Sequence, residues 1–593
     1  MPANLFDYFE TLKPEDGAAA PWAARAPRRP RGPFDLKLVP RTPAWREDGE
    51  SLAALAQIES EPWVQRVAPN CDGVAVRLDD EWVATSGAAL EAGGSAEATL
   101  TDLAHGRRYS VQFWDANATK ALHVGHLRNL AIGNALAATL AQAGAQVERR
   151  SLISDAGRSM GEAMAGVMNS GRHTDSWPDG DEKSDHFVGV CYADYVAAAV
   201  SFEGSQIEHP EDSLSRELTL RGDAADELLR RVLAGERDAL ELWSKTRAWV
   251  IAGQRRTLAR LGIAFDRVFF ESDFLGQAAE LTASGLRDGR LYRREDGVIA
   301  YATGLADFEE FPLVRADGVP TQHMRALAYW MTAPELDQVT SMQVCGTEWV
   351  SHVTCRRKLM DELLERGGNG NGHAVHPTND IFNGMVSRQK RALASSEGAL
   401  LIDELSEWIE TQLDSDPRLR AVRRAHPCPE RIAAQIALGY FLPHPVAPRI
   451  DFDPTRLLID NESLGWDLVR ARAGRGLDRA ERELVHGGRG VGRAGRGLDH
   501  ARGRLDLAGR DLRGSHRTSP VRDLDYRFAV VQAELYRRYV RLAVQRLDVR
   551  PLAHYLKHLA RWYLERDRSE RVEHVVQTLL ERSARGLGLQ DTR

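Results

Sequence analysis

The spacing of apolar and polar residues predicts a strand, a loop, a helix and a second strand between residues 108 and 154. RYSVQFW alternates apolar and polar side chains, as a half-buried strand does, and DANATKAL has the composition of a loop. HVGHLRNLAIGNALAATLAQAG repeats its apolar residues at helical spacing up to Gly144, a residue type that commonly ends helices. QVERRSLIS again alternates apolar and polar residues, which predicts the second strand. A strand–helix–strand unit of this length predicts two neighbouring parallel strands.

Other parts of the chain carry different patterns. Residues 1–35 are rich in Pro, Ala and Arg and predict an irregular arm, whereas residues 36–107 mix helical and alternating runs, as a small α+β module does. Helical periodicity dominates from about 192 to 262. Strand-like runs return at DRVFFES, GVIAY and VTSMQVCG, and the pattern after residue 430 is mainly helical.

The end of the chain predicts three amphipathic helices, with Pro551 at the start of one and Gly586 near the end of another. The patterns together predict an α/β fold with a parallel-sheet domain at 108–428, which contains the helical insertion. An all-α domain at 429–593 follows it. The segment 470–517 interrupts that all-α domain.

Residues 470–517 hold 13 Arg, six acidic residues and 11 Gly, and AGRGLD occurs twice. Glycine at this density opposes a stable helix, since each glycine costs about 1 kcal/mol relative to Ala. Three interpretations stay open: a flexible basic linker, a nonspecific RNA-contacting segment, or the product of a compensated reading-frame error in a GC-rich gene. Translating the other two frames of the gene tests the third.

Composition narrows the class of protein. The 593 residues carry 78 Lys+Arg against 85 Asp+Glu, a net charge of −7, with 43% hydrophobic and 27% charged residues. These values exclude a wholly disordered chain, a collagen and a uniformly basic nucleic-acid coat. Neither a run of about 18 apolar residues nor a secretory signal pattern occurs, so we expect a cytoplasmic protein without membrane contact. Five cysteines without a CxxC pair favour no structural metal.

The loop and helix start at NATKALHVGH carry the strongest chemical signal. His123 and His126 lie on nearly one face at a helix start, where free N–H groups and the helix dipole favour an anion. Gly125 between them lets a planar group approach the backbone. Lys120 adds a positive charge and is one of only eight lysines among the 78 basic residues. The group suits a triphosphate.

This segment resembles the HIGH motif of class I aminoacyl-tRNA synthetases, and more closely the arginyl-tRNA synthetases, whose loop reads like N-x-x-K-P-L-H-V-G-H-L-R. The C-terminal helices resemble the anticodon-binding bundle of that family, and the module at 36–107 weakly resembles its N-terminal tRNA-binding module. Residues 470–517 have no counterpart. Further similar stretches are ISDAG at 153–157, LGIAFDRVFFES at 261–272, VCGTEW at 344–349 and IDELSEWIE at 402–410.

The resemblance implies a Rossmann-like catalytic sheet and a two-step reaction that uses ATP, Mg²⁺ bound with the nucleotide, an amino acid and a tRNA. The amino-acid carboxylate attacks the α-phosphorus of ATP and pyrophosphate leaves. The adenylate then passes its aminoacyl group to the 3′-terminal ribose. Lys120, His123 and His126 would be the catalytic residues, since they neutralise charge on the phosphates. Gly125 would lie under the adenine, and we expect a monomer.

Two further places are implied in ATP binding. Gly346 and Glu348 would lie beside the adenosine ribose. The second signature, KMSKS, corresponds to residues 390–398, where a serine stands at the lysine position. Arginyl enzymes often lack that lysine and carry one just before the HIGH motif, as Lys120 does here. Lys390 either adds flexible positive charge to the ATP site or is a solvated loop residue.

The amino-acid pocket departs from the family. The acidic residue on the strand before HIGH corresponds to Gln112, and the Tyr-x-x-x-Asp set corresponds to Gln322 and Ala326. Asn117, which would bind the α-amino group, is kept. A buried guanidinium needs carboxylates, and losing one partner of a buried charge pair costs about 3–5 kcal/mol. We therefore predict that the substrate is a neutral, amide- or hydroxyl-bearing amino acid rather than free arginine.

Four functions compete. They are a tRNA ligase respecialised away from arginine and serving a biosynthetic pathway; a housekeeping arginine–tRNA ligase; a noncatalytic tRNA-binding or regulatory protein; and an adenylating enzyme that no longer uses tRNA. The missing pocket carboxylates oppose the second, and the retained histidines and Lys120 oppose the third. The helical C-terminal domain opposes the fourth.

Overall fold

The computed structural model describes residues 5–12, 22–26, 34–41, 43–70, 72–92, 100–171, 182–203, 218, 220–305, 308–332, 339–365, 380–388, 391–392, 400–426, 428–445, 448–460, 462–473, 523–565 and 569–589. Nearly all of the Gly/Arg-rich segment predicted at 470–517 lies outside the described residues, so its three interpretations stay predictions.

The strands, in chain order, are β1 (Trp22–Arg25), β2 (Leu36–Pro40), β3 (Val64–Asn70), β4 (Gly73–Leu78), β5 (Arg108–Gln112), β6 (Gln146–Ile153), β7 (Arg267–Phe270), β8 (Leu291–Arg293), β9 (Ile299–Leu305), β10 (Phe308–Val314), β11 (Thr340–Gly346), β12 (Ile381–Asn383), β13 (Val386–Arg388), β14 (Arg391–Ala392) and β15 (Ile450–Asp451).

The helices are α1 (Leu5–Thr11), α2 (Gly49–Glu59), α3 (Asp80–Glu91), α4 (Val124–Gln142), α5 (Arg158–Asn169), α6 (Ser184–Glu203), α7 (Ala224–Leu233), α8 (Arg237–Leu261), α9 (Leu275–Arg287), α10 (Gln322–Thr332), α11 (Val350–Glu365), α12 (Ile402–Ser415), α13 (Pro417–Ala425), α14 (Pro429–Phe441), α15 (Leu464–Ala473), α16 (Leu524–Arg546), α17 (Arg550–Tyr563) and α18 (Glu570–Gly586).

A five-stranded parallel sheet forms the centre of the fold. Its strands lie in the order β12–β11–β5–β6–β7, and every adjacent pair is parallel. Helices make the crossover connections that parallel strands require, with α4 between β5 and β6 and α5 to α8 between β6 and β7. The predicted parallel-sheet fold is confirmed. The carboxyl ends of its strands meet at one edge, where such sheets bind ligands.

The predicted strand–helix–strand unit is β5–α4–β6. His123 caps the start of α4, and the helix ends shortly before Gly144, whose φ of 91° is a conformation that glycine adopts without strain. Gly133 lets α4 approach the sheet closely, because a Cβ atom there would lie 2.2 Å from the Cβ atom of Phe113. This contact positions the first turn of α4 above the carboxyl end of β5.

The helical insertion begins earlier than the predicted residue 192, since α5 and α6 start at Arg158 and Ser184. Arg158 is 2% exposed, and its guanidinium donates hydrogen bonds of 2.7 Å to Asp223 and Asp226 at the start of α7. A buried ion-pair network between residues so far apart along the chain stabilises α5. Periodicity does not report such a network.

Part of the segment 1–35 is ordered, contrary to the predicted irregular arm. Leu5 and Phe6 on α1 are buried, and Trp22 on β1 packs edge-on against Trp45 with ring centroids 5.0 Å apart. β1 pairs antiparallel with β2 and extends the sheet β1–β2–β4–β3. Burial of a few large apolar side chains outweighs the Pro/Ala/Arg composition.

The three helices predicted at the end of the chain are α16, α17 and α18. Pro551 lies in the first turn of α17, and Gly586 is the last residue of α18. The predicted interruption starts too early, because residues 470–473 belong to α15. Arg470 on that helix is buried and lies 2.5 Å from the carboxylate of Asp460. A carboxylate partner makes an arginine acceptable in a core.

Two smaller sheets flank the centre. β8, β9 and β10 form an antiparallel sheet inserted between β7 and β11. β13 pairs in parallel with β15, which lies beyond the predicted domain boundary at residue 429. Among the helices that the structure describes, none has the length and apolar character needed to cross a membrane.

Candidate active site

His123 and His126 lie together at the first turn of α4. The Nδ1 atom of His123 accepts a hydrogen bond from the backbone N–H of Gly125, and the Nδ1 atom of His126 accepts one from the N–H of His123, both at 3.1 Å. The ring centroids are 3.9 Å apart. Because Nδ1 is an acceptor in both rings, each neutral imidazole carries its proton on Nε2, where it can be donated to a ligand.

Both histidines are neutral at pH 7. Burial lowers the pKa of His126 to about 3, and the charge of Lys120 adds to this effect. Burial, and then the neighbouring His126 and Lys120, hold the pKa of His123 well below its ordinary value. The helix start therefore offers two N–H donors, while the positive charge comes from Lys120.

Gly125 is required by the packing of the histidine pair. A Cβ atom at this position would lie 2.8 Å from Cε1 of the His123 ring and 2.9 Å from its Nδ1 atom. A larger residue would displace the ring from the hydrogen bond that caps α4. The approach of a planar group to the backbone at this glycine stays a prediction.

Gln254 holds the loop between β5 and α4. Its Nε2 atom donates to the backbone carbonyl oxygens of Asn117 at 3.1 Å and Lys120 at 2.7 Å. Its Oε1 atom accepts from Nε1 of Trp114 at 3.2 Å. Sequence reasoning missed this residue, because a glutamine within the long helix α8 carries no local signal for a distant loop.

Asn117 lies between the carboxyl ends of β5 and β6. It forms an isolated parallel bridge with Ser154, whose hydroxyl donates to Glu271 at 2.9 Å. Glu271 is 2% exposed and accepts a second hydrogen bond, of 2.7 Å, from Nε of Arg325. The residue predicted to bind the α-amino group therefore neighbours a buried carboxylate that already has a cationic partner.

The segment that follows the second signature is joined to the start of α4. The backbone N–H of Val124 donates to the carbonyl of Leu400, and that of Ile402 donates to the carbonyl of Leu122, both at 3.0 Å. These bonds place Leu400 and Ile402, which come shortly after that signature, beside the histidine pair. Lys390 itself lies outside the described residues, so its role stays a prediction.

Gly346 is the last residue of β11, the strand next to β5, and Glu348 comes just after it. The Glu348 carboxylate folds back over Gly346, because a Cβ atom on that glycine would lie 2.0 Å from Oε1 of Glu348. The glutamate side chain as a whole is exposed, yet partial burial of its carboxylate raises its pKa. Both residues lie at the sheet edge that carries the histidines.

Asp115 is a further acidic residue of the site, which sequence reasoning did not single out. It comes directly after the buried run that ends at Trp114. Burial raises the pKa of the Asp115 carboxyl to about 6; the positive charge of Arg356 opposes this rise, and the negative charge of Glu348 adds to it. A polar residue straight after a buried strand was the available signal.

Gln112 lies on the face of the sheet that α10 covers. Its register partners are Gln343 on β11 and Arg150 on β6, so these three side chains form a row across the sheet. Gln112 is 2% exposed. Its Oε1 atom is buried and has no hydrogen-bond partner among the residues that the structure describes.

The other two predicted pocket residues lie on α10. Ala326 is buried and packs with Leu152 and Tyr329, which places it over the same face of the sheet as Gln112. Gln322 is the first residue of α10 and is partly buried. The three positions thus lie on two elements, β5 and α10, and their role in an amino-acid pocket stays a prediction.

Within the described parts of the chain, no group of three or more His, Cys, Asp and Glu side chains is arranged to hold a metal ion. The residues around the histidine pair accordingly give no ligand set for Mg²⁺. Any Mg²⁺ here would arrive with its nucleotide.

A family model and the sequence relatives found by comparison with known proteins all describe tRNA synthetases of the arginine type. A family model described as tRNA synthetases class I (R), catalytic domain, matches residues 95–182. The arginine–tRNA ligase of Treponema pallidum is 29% identical over 377 residues, which are 62% of this chain and 59% of that protein. That of Borrelia hermsii is 28% identical over 324 residues, 52% of this chain and 51% of that protein. The chain thus matches about half to three fifths of these relatives' length.

Solved structures are similar over nearly the whole chain. The arginyl-tRNA synthetase of Thermus thermophilus has a TM-score of 0.63 at 18% identity, and that of Plasmodium falciparum has a TM-score of 0.58 at 13% identity. Each comparison covers 98% of both chains. At such identities the likeness concerns the fold. The sequence relatives, together with the family model at the histidine-bearing helix, make the chain similar to the arginyl-tRNA synthetases of class I.

Proposed function

We propose that this chain activates an amino acid with ATP and transfers it to the 3′ end of a tRNA, and that the amino acid is not arginine. The observation that carries the first part is the pair of neutral imidazoles at the start of α4, with Lys120 beside them. Two Nε2–H donors and one ammonium at a helix N-terminus match a polyphosphate.

The proposed chemistry needs no protein nucleophile. The carboxylate oxygen of the amino acid attacks the α-phosphorus and the bond to pyrophosphate breaks. In the second step a ribose hydroxyl of the tRNA attacks the carbonyl carbon of the adenylate, and AMP leaves. His123 and His126 donate hydrogen bonds to phosphate oxygens, and Lys120 offsets the charge that develops on the leaving group. Asn117 would hold the α-amino group.

The use of tRNA is supported by the relatives, which are named arginine–tRNA ligases. The helices α14 to α18 belong to the segment 429–593, which resembles an anticodon-binding bundle in sequence, and this resemblance also supports the proposal. Division of the chain at residues 36, 108 and 429 into functional domains remains part of this proposal.

Rejection of arginine is supported by the charge balance around the pocket. Three carboxylates on the elements around the pocket are already paired with arginines of the chain itself, and Gln112 and Ala326 supply none. A guanidinium buried there would lack a counter-charge, which is costly. The pairs are Glu271 with Arg325 at 2.7 Å, Asp155 with Arg247 at 3.0 Å and Glu148 with Arg150 at 2.7 Å.

The test is amino-acid-dependent ATP–pyrophosphate exchange over a panel that includes arginine, with and without total tRNA. Exchange with an amino acid other than arginine is the expected result. Exchange with arginine alone would identify a housekeeping arginine–tRNA ligase and overturn the second part. If no amino acid of the panel supports exchange while the chain still binds tRNA, the first part is overturned and a noncatalytic tRNA-binding protein is favoured.

A double variant tests the pocket positions. Gln112→Glu combined with Ala326→Asp restores two carboxylates, and we expect it to gain arginine-dependent exchange that the parent chain lacks. Each single variant is the control for the pair. No gain in the double variant, with its fold retained by circular dichroism, would contradict the pocket assignment.

A further inference from the structure

The floor of the proposed amino-acid pocket is a polar row whose charges are already balanced. Gln112 occupies its middle, with Arg150 on one side and Gln343 on the other. Arg150 is paired with Glu148 at 2.7 Å. Nη2 of Arg356 donates to Oε1 of Gln343 at 2.8 Å.

Arg356, which contacts the row through Gln343, also has negatively charged neighbours. Arg356 is buried, and the carboxylates of Asp380 and Asp115 act on it electrostatically. The row therefore offers a ligand neither a carboxylate in excess, which a cationic side chain needs, nor a cation in excess, which an anionic one needs.

Two of the buried polar atoms at the pocket are complementary to each other. Oε1 of Gln112 is an acceptor, and Nε1 of Trp330 is a donor; both are buried and neither has a hydrogen-bond partner within the described residues. Trp330 packs against the cluster of Leu152, Ala326 and Tyr329, and Leu152 lies on the same face of the sheet as Gln112. Buried polar atoms are rarely left unpaired, so a ligand that supplies one donor and one acceptor fits this place.

We propose that the side-chain pocket takes a neutral planar group that carries both a carbonyl oxygen and N–H donors, as a carboxamide or a ureido group does. The N–H group donates to Gln112 and the carbonyl oxygen accepts from Trp330. A lone hydroxyl offers a single oxygen and a shorter reach, so it satisfies one of the two atoms at a time. This inference rests on the proposed function and specifies its substrate class.

The experiment compares L-glutamine and L-citrulline with L-arginine, L-glutamate, L-homoserine and L-norleucine in tRNA-dependent pyrophosphate exchange. Glutamine or citrulline is expected to exceed every other member by roughly tenfold or more, because a buried polar site rejects analogues that leave it unpaired. Preference for homoserine or glutamate would overturn this inference while leaving the proposed function intact.

Silence of the whole panel would count against the proposed function, and binding then decides the pocket. Isothermal titration of the full chain with citrulline and with norleucine measures the pocket without turnover. Tighter binding of citrulline supports the inference, and equal binding or none overturns it.

Two variants assign the hydrogen bonds. Trp330→Phe removes one N–H and keeps a ring, so the preference for citrulline over norleucine should fall about tenfold. Gln112→Met removes the acceptor oxygen at similar volume and should reduce that preference as well. Gln146→Met is the matched control, since Gln146 is exposed at the other end of β6. An unchanged preference in both pocket variants would overturn the inference.

Discussion

Lys120 supplies the positive charge at the start of α4, whereas His123 and His126 supply hydrogen-bond donors without charge. The division follows from burial, which lowers the pKa of each imidazole and leaves the ammonium as the charged group. An ammonium beside two buried neutral rings costs less than three cations in one place.

Replacing Lys120 by Met should lower the rate of pyrophosphate exchange by about a hundredfold, because it removes charge stabilisation from the leaving group. The Tm should change little, since the loop is held through the backbone carbonyl of Lys120 by Gln254. Lys245→Met on α8 is the control. A loss of exchange equal to that of the control would contradict the catalytic role.

The histidine pair predicts a loss of stability in acid. Because the folded pKa of His126, about 3, lies below its ordinary value of 6.5, the unfolded chain binds a proton that the folded chain excludes. Stability is therefore full above pH 6.5 and falls as the pH decreases from there towards 3. At a pH of about 5.5 the loss is on the order of 1 kcal/mol per histidine.

Urea unfolding at pH 7.5 and at pH 5.5, about 2 pH units lower, measures this loss of stability. His126→Asn keeps a hydrogen-bond acceptor near the position of Nδ1 but does not titrate, so its stability should fall less between the two pH values. His105→Asn, at an exposed position, should behave as the parent chain does. Equal losses in all three proteins would contradict the assignment.

Sequence reasoning found the residues of the site that belong to short motifs and missed those that arrive from elsewhere. Lys120, His123 and His126 lie close together in the chain, three residues apart. Gln254 comes from α8 and Arg356 from α11, and each meets the site only because the sheet brings their helices together. Side chains from distant elements leave no local pattern.

Among the elements, α4 depends most on one close contact. Gly133→Ala would place a Cβ atom 2.2 Å from that of Phe113, so the helix must move away from β5. We expect a loss of about 1–3 kcal/mol and weaker nucleotide binding, since the first turn moves with the helix. Gly276→Ala on α9, which has nothing within 4 Å of the added Cβ atom, should leave the Tm unchanged or raise it. Thermal unfolding of both variants checks the contrast.

Elements with a strong repeat of their own were predicted, and elements stabilised by distant partners were not. α4, α16 and α17 show the helical spacing of apolar residues in the sequence. α5 is rich in Gly and Met and is fixed by ion pairs of Arg158 with α7. β1 exists through its pairing with β2.

At the scale of the whole molecule, Arg527 connects the last helices to the N-terminal sheet. It is 1% exposed, and its guanidinium donates to both carboxylate oxygens of Asp35, at 2.9 and 2.7 Å, and to the carbonyl of Leu78 at 2.6 Å. It also lies 2.5 Å from Asp80. One side chain of α16 therefore ties the two ends of the chain together.

Arg527→Met should destabilise this junction by about 3–5 kcal/mol, because it leaves the Asp35 carboxylate buried without its main partner. Trypsin should then cut the N-terminal module faster than in the parent chain, and the urea midpoint should fall. Arg546→Met, at an exposed position on the same helix, is the control. Equal proteolysis of the two variants would argue against the connection.

The sequence by itself determined the strand–helix–strand unit, the C-terminal helices and the histidine–lysine group, because local periodicity and short motifs specify them. Local patterns do not specify which strands are neighbours. The order β12–β11–β5–β6–β7 pairs residues that are far apart in the chain, so it is known only from the tertiary structure. That order sets Gln112 between Gln343 and Arg150 and brings Arg356 to the same floor. The polarity and charge balance of the proposed pocket therefore follow from contacts that form only when the sheet folds.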